Sequence, residues 1–188
     1  MPVAGSNFFV ITGGPGAGKT SIIERLAARG FPAVAESGRD ILRQQAAIGG
    51  SATHTADPAA FCELMLARGM TDYERMLDES DGPVFFDRGV TELVGYCRLV
   101  GIPVPGHVRK AAELYRYNTM VFVTPPWPEI YANDALRKQD VAEAVRTYDR
   151  AVEAYGEFGY RIVEVPKLPV ADRASFVANR ASAAIEGG

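Results

Sequence analysis

The stretch "GGPGAGKT", residues 13–20, decides how the rest of the chain is read. Its spacing is G-x-x-x-x-G-K-[ST], matched by Gly13, Gly18, Lys19 and Thr20. Upstream, "NFFVIT" (residues 7–12) is a continuous apolar run, as in a strand buried on both faces. Downstream, "KTSIIERLAAR" (residues 19–29) repeats its apolar residues at helical spacing and stops at Gly30. Small residues at such a strand-to-helix turn let successive backbone N–H groups point inward around an anion, at the positive end of the helix that starts there. Gly14, Gly16, Ala17, Gly18, Lys19, Thr20 and Ser21 are therefore the candidate nucleotide-binding residues. Lys19 would reach the β- and γ-phosphates and the Thr20 hydroxyl would sit on magnesium. The competing reading is a glycine-rich turn with a solvated lysine.

Strands and helices alternate from this point to the end of the chain. Short strands are expected at residues 32–35, 83–86, 119–124 and 161–165, and helices at 37–47, 57–77, 91–99, 106–117 and 171–185. Val141, Val145, Tyr148, Val152 and Tyr155 mark one face of a further long helix. That alternation predicts an α/β fold, a parallel sheet with helices on both faces. No repeat, low-complexity tract or linker interrupts the 188 residues, so one domain over 1–188 is expected. The stretch around Trp127, rich in proline, reads as a rigid turn or a wall of a cleft.

In an open parallel sheet, ligands gather beyond the carboxyl ends of the strands, so the residues just after each strand are read together. Asp87, directly after "VFF", fits the acidic residue that orders a magnesium shell, or a turn aspartate. Arg88 fits bidentate recognition of phosphate or carboxylate, or a structural ion pair. Glu36, after the second strand, is placed to take the proton of an attacking hydroxyl, or to cap the next helix. Arg39, one turn on, would hold an anionic substrate, pair with Glu36 or face solvent. Far downstream, Arg137 and secondly Lys138 are candidates for a positive group over the transferring phosphate, or are solvated charges at a helix start.

Composition narrows the partners. A net charge of −3 gives no basic field that would concentrate the chain on nucleic acid or an anionic membrane. The N-terminal apolar run is too short for a signal peptide or a span, so a cytoplasmic location is expected. Cys62 and Cys97, with two distant histidines, have no metal-ligand spacing and read as buried, reduced thiols.

The segments "VITGGPGAGKTSI", "AVAESGRDIL", "VFFDRG", "NDALRKQ" and "YRIVEVPKLPVADRASFV" together resemble a family of small P-loop proteins described as AAA-type ATPases. More broadly they resemble the P-loop kinases of nucleosides and small molecules, among them nicotinamide riboside kinase domains and antibiotic phosphotransferases. The resemblance implies a three-layer P-loop NTPase with five parallel strands in the kinase-like order 2-3-1-4-5. It also implies that Lys19, Thr20 and Asp87 handle ATP and Mg2+, that Glu36 and Arg88 face the acceptor, and that Arg137 sits in a lid around residues 127–140. A ring-forming AAA machine needs a helical lid domain and further sensor motifs, and this chain is too short for them, which favours the kinase side. Two functions follow as expectations. One is ATP- and Mg-dependent phosphoryl transfer to a hydroxyl of a small molecule: a metabolite, nucleoside or antibiotic. The other is an ATPase or switch that hydrolyses ATP and acts through a protein partner. The absence of an N-K-x-D base signature favours ATP over GTP.

Overall fold

The apolar run ahead of the phosphate loop becomes the central strand of a five-stranded parallel sheet in the computed structural model, which describes residues 3–79, 82–131 and 141–186. In chain order the elements are β1 (Val3–Ala4), β2 (Phe8–Gly13), α1 (Lys19–Ala27), β3 (Ala33–Val34), α2 (Gly38–Ile48), α3 (Pro58–Glu79) and β4 (Val84–Asp87). There follow α4 (Glu92–Leu99), α5 (Gly106–Leu114), β5 (Tyr115–Arg116), β6 (Met120–Thr124), α6 (Pro128–Tyr131), α7 (Val141–Glu157), β7 (Arg161–Glu164) and α8 (Val170–Glu186). The main sheet runs β3-β4-β2-β6-β7, and every neighbouring pair is parallel. Counting its five strands in chain order, this is 2-3-1-4-5, the kinase-like order expected.

Side chains alternate across the sheet as the pleat requires. Phe8, Val10, Val84, Phe86, Val121 and Val123 enter a core covered by α3, α4, α5 and α7. Phe9, Ile11, Phe85, Met120 and Phe122 enter a second core, under Ile22 and Leu26 of α1 and Val177 and Ala181 of α8. Both faces of β2 are therefore covered, which is why residues 8–11 are apolar without interruption. Cys62 of α3 and Cys97 of α4 are buried thiols with their sulfurs 3.6 Å apart.

Two features depart from the sequence reading. The helix expected over 106–117 ends at Leu114, and Tyr115–Arg116 pair as a strand with Val3–Ala4. Tyr73 of α3 secures this small ribbon: its buried hydroxyl accepts from the Gly5 N–H at 2.9 Å and donates to the Arg116 carbonyl. Tyr73→Phe should lower unfolding free energy by about 1 kcal/mol, read as a shift in the urea midpoint. An unchanged midpoint would mean that the hydroxyl contributes nothing.

The second departure is the face of α7. Tyr148 and Val152 pack against the core and Tyr155 is buried, as expected, but in the first turns Ala144 is buried while Val141 and Val145 lie 44% and 38% exposed. The cause is close approach. A Cβ on Gly14 would collide with the Ala144 carbonyl, and one on Gly95 would lie 2.6 Å from the Arg150 carbonyl. Glycines on the partner segments and alanines on α7 bring the helix backbone against both the phosphate loop and α4.

Candidate active site

The loop after β2 is shaped by glycines at positions other residues adopt only with strain. Gly18 caps α1 in the left-handed region, with φ 82°, and a Cβ there would lie 2.7 Å from the Arg173 guanidinium. No side chain caps α1 and its first turn holds no acid, so its backbone donors face the loop uncontested. Lys19 is buried and its Nζ donates to the carbonyls of Gly13 at 3.1 Å and Gly14 at 2.8 Å. Burial, with Arg88 adding to it, lowers the Lys19 pKa to about 8, against the opposing pull of Asp87, Glu36 and Glu92. Thr20 and Ser21 are exposed in the first turn.

On the far side of this loop, Arg173 of α8 is buried and its Nη1 donates to the Ala17 carbonyl at 3.1 Å. Its guanidinium lies 5.4 Å from the ring centre of Trp127, the only tryptophan in the chain. Trp127, expected in a rigid turn or a cleft wall, immediately precedes the short α6 and is coupled through Arg173 to the phosphate loop.

Asp87 ends β4, which pairs with β2, so its carboxylate arrives beside the loop. The Thr20 hydroxyl lies 3.4 Å from Asp87 Oδ2, while the buried Oδ1 has no hydrogen-bond partner among the described residues. Burial raises the Asp87 pKa, Lys19 and Arg88 oppose this, and Glu36 and Glu92 reinforce it.

Arg88 leaves the strand with φ 71°, unusual for a residue with a side chain and costing about 1–3 kcal/mol. Its N–H still continues the sheet, donating to the Ile11 carbonyl at 3.0 Å. The turn swings the guanidinium between two carboxylates: Nη1 bonds Glu92 of α4, and Nε lies 3.3 Å from Glu36 Oε1, an ion pair rather than an aligned hydrogen bond. Burial would lower the Arg88 pKa, but Glu92, Glu36 and Asp87 outweigh it and hold the cation above its ordinary value. Glu92 is fixed in turn by the Thr12 hydroxyl, which donates to Oε2 at 2.6 Å, and by the Tyr155 hydroxyl at 3.4 Å.

These groups form the floor of a cavity of about 510 Å³ that begins beside Pro15 of the phosphate loop and extends between α3 and α4. Glu36, Asp87 and Arg88 come together there, and Arg39 of α2 is at its exposed edge. Arg137 and Lys138, with most of the expected lid, lie outside the described residues. Three groups were not anticipated. Glu92 sits inside a helix and not at a strand end. Arg146 and Arg150 reach the cavity from α7, which the Ala144–Gly14 contact lays against the phosphate loop. Arg150 pairs with Glu153 at 2.7 Å; Arg146 has no carboxylate partner among the described residues. Their spacing of four on a helix was the available signal, but it identifies a face only once the helix is docked.

Similar proteins share the architecture. The structure of the NadR protein in complex with NR superposes with a TM-score of 0.60 at 19% identity, covering 95% of this chain. This chain spans 52% of that one. Deoxyadenosine kinase from M. mycoides, with products dCMP and dCDP bound, gives 0.61 at 12% identity, covering 94% of this chain and 99% of its own. Shikimate kinase from Acinetobacter baumannii in complex with shikimate gives 0.50 at 15%, covering 91% and 90%. None of the curated proteins matches the sequence. Among the described residues no helix is long and apolar enough to cross a membrane. The family model described as an AAA domain matches residues 8–173, so the chain belongs to the AAA domain family, in the kinase-like form of the P-loop fold.

Proposed function

We propose that this protein transfers the γ-phosphate of ATP to a hydroxyl of a small molecule. The observation that carries the reading is the cavity that opens from the phosphate loop, with the Glu36 carboxylate at its floor. A hydrolytic switch needs only water at that position and has no use for a 510 Å³ cleft beside the loop. The kinase fold of the similar structures supports the same reading by analogy.

Each residue then has a defined task. The loop N–H groups from Gly14 to Ser21 hold the β- and γ-phosphates, and Lys19 exchanges its two carbonyl partners for phosphate oxygens. The Thr20 hydroxyl, the Asp87 carboxylate 3.4 Å away and its unpartnered Oδ1 offer hard oxygen donors suited to Mg2+, with phosphates and water completing the shell. Bound magnesium neutralises charge on the β- and γ-phosphates. Glu36 accepts the acceptor's hydroxyl proton as that oxygen bonds the γ-phosphorus and the bond to the β,γ-bridging oxygen breaks. Arg88 is held by Glu36 and Glu92 and orients the base.

Arg146 takes the role that sequence reading assigned to Arg137: a cation over the transferring phosphate. The Ala144–Gly14 contact supports this, because it brings the first turns of α7 over the loop. Arg146→Ala should lower kcat at least about 10-fold, less than the ~10³-fold of a fully enclosed arginine finger, with KM for the acceptor nearly unchanged. A kcat within two-fold of wild type would remove Arg146 from this role.

Phosphorus NMR with ATP and magnesium, first alone and then with pooled small alcohols, nucleosides and antibiotics, tests the function. A phosphomonoester resonance that depends on one pool is expected. Inorganic phosphate alone, at one rate in every pool, would overturn transfer in favour of the hydrolytic switch with a protein partner.

A further inference from the structure

The same cavity constrains what it can hold. Two of its walls are the antiparallel helices α3 and α4, with Cys62 facing Cys97 and Gly69 facing Val90, and α2 and α7 complete its lining. Phe61, Met65 and Gly69 recur at intervals of four along α3, and Leu93, Tyr96 and Leu99 at intervals of three along α4. The Phe61 and Tyr96 rings meet edge to face with centres 5.9 Å apart. The result is a largely apolar slot with one charged end; Asp72 of α3, which also lines it, is paired with Arg68 and Arg75.

That charged end has no cation to spare. Its buried or half-buried lining groups are Arg88 against Glu36, Asp87 and Glu92, with Lys19 of the phosphate loop behind them, two positive charges against three negative. Lys19 is held by the loop carbonyls and is destined for phosphate; Arg88 is held by Glu36 and Glu92. A carboxylate or phosphate on the acceptor would meet, at the partly desolvated floor, excess negative charge and, among the described residues, no unpaired cation. Arg39, Arg146 and Arg150 are exposed at the edge, where water screens them, and Arg150 is already paired. The wall is also recessed at one point. A Cβ on Gly69 would touch only Val90 Cγ2, at 3.4 Å, so the missing side chain leaves width between α3 and α4.

We propose that the acceptor carries no carboxylate or phosphate and presents its hydroxyl from a flat aromatic or polycyclic body lodged between α3 and α4. Only the fate of the hydroxyl rests on the phosphotransferase reading; the binding chemistry does not.

The test uses the full chain without nucleotide and matched probes: benzyl alcohol and 2-naphthalenemethanol, each with and without one ring carboxylate. Binding is measured by saturation-transfer NMR and calorimetry. The neutral compounds should bind at least about 10-fold more tightly than their carboxylates, the naphthyl alcohol more tightly than the benzyl. Gly69→Leu, which fills the slot, should weaken the naphthyl alcohol by a similar factor, with Gly69→Ala intermediate. ATP binding, followed through Trp127 fluorescence, should be unchanged in both variants and so report an intact fold. Equal or tighter binding of the carboxylates would overturn the proposal. So would no binding by any probe to a protein that still binds ATP, or indifference to Gly69→Leu. If the neutral probes bind as expected but no phosphoester forms with ATP and magnesium, the slot's chemistry stands and the transfer reading falls.

Discussion

Lys19→Met lowers phosphoryl turnover by about 10²–10³-fold, the cost of removing one charge-stabilising donor from an enclosed site, and leaves the protein folded. Among the described residues Lys19 is the cation inside the loop; Arg146 approaches only from outside it, from α7, and the nearest buried guanidiniums have other partners. Arg88 is held by Glu36 and Glu92, and Arg173 by the Ala17 carbonyl. Methionine fills the same volume, so the loss is one of charge. Without nucleotide the sign of the stability effect is opposite. Burial and Arg88 bring the folded-state pKa down to about 8 from lysine's ordinary 10.5, so charged Lys19 opposes folding. That penalty is fully present below pH 8 and fades as pH rises from about 8 toward 10.5, where the unfolded lysine also loses its proton. Lys19→Met should therefore be no less stable than wild type at pH 7, and the difference should narrow above pH 8, as read from urea midpoints of both proteins. Trp127 fluorescence titrations should show weaker ATP binding by the variant. Unchanged ATP affinity together with unchanged turnover would remove Lys19 from the phosphate site.

The central part of this site was legible in the sequence because its physics is local. A strand covered on both faces reads as a nearly continuous apolar run, which marks residues 8–11, and the phosphate loop needs its glycines at fixed spacing. Asp87 and Glu36 were found because strand ends in a parallel sheet converge on one rim. What escaped depends on distant partners. Tyr115–Arg116 continue a helical pattern and become a strand only by pairing with Val3–Ala4, over a hundred residues away. Along α7 the expected stripe holds at Tyr148, Val152 and Tyr155, but in the first turns Ala144 is buried in place of Val141 and Val145, since Gly14 admits the helix backbone more closely than valine allows. Glu92 enters the site only because Arg88 turns with positive φ, which no propensity of arginine suggests. Arg146 entered with the same helix docking that displaced the valines.

The second large effect is expected of Glu36→Gln. A positioned general base contributes about 10²–10⁴-fold, and turnover should fall within that range while ATP affinity is retained. Glutamine keeps the size of the side chain and an oxygen near the Arg88 Nε, losing only the charge of that ion pair, and the guanidinium stays bonded to Glu92. A purely positioning Glu36 would therefore survive the change with most of its effect intact. The acid limb of the pH–rate profile separates the two roles. A base must be deprotonated to act, so wild-type kcat should rise with pH through the pKa of the loaded complex, and this limb should vanish in the variant. Binding of an uncharged alcohol should be unaffected or slightly improved, since the floor loses one of its three negative charges. If Glu36→Gln turns over within a few-fold of wild type and keeps the same pH profile, the carboxylate only braces Arg88. The hydroxyl proton must then leave by another route, and Asp87, the remaining carboxylate of the cavity floor without a full set of partners, becomes the group to test.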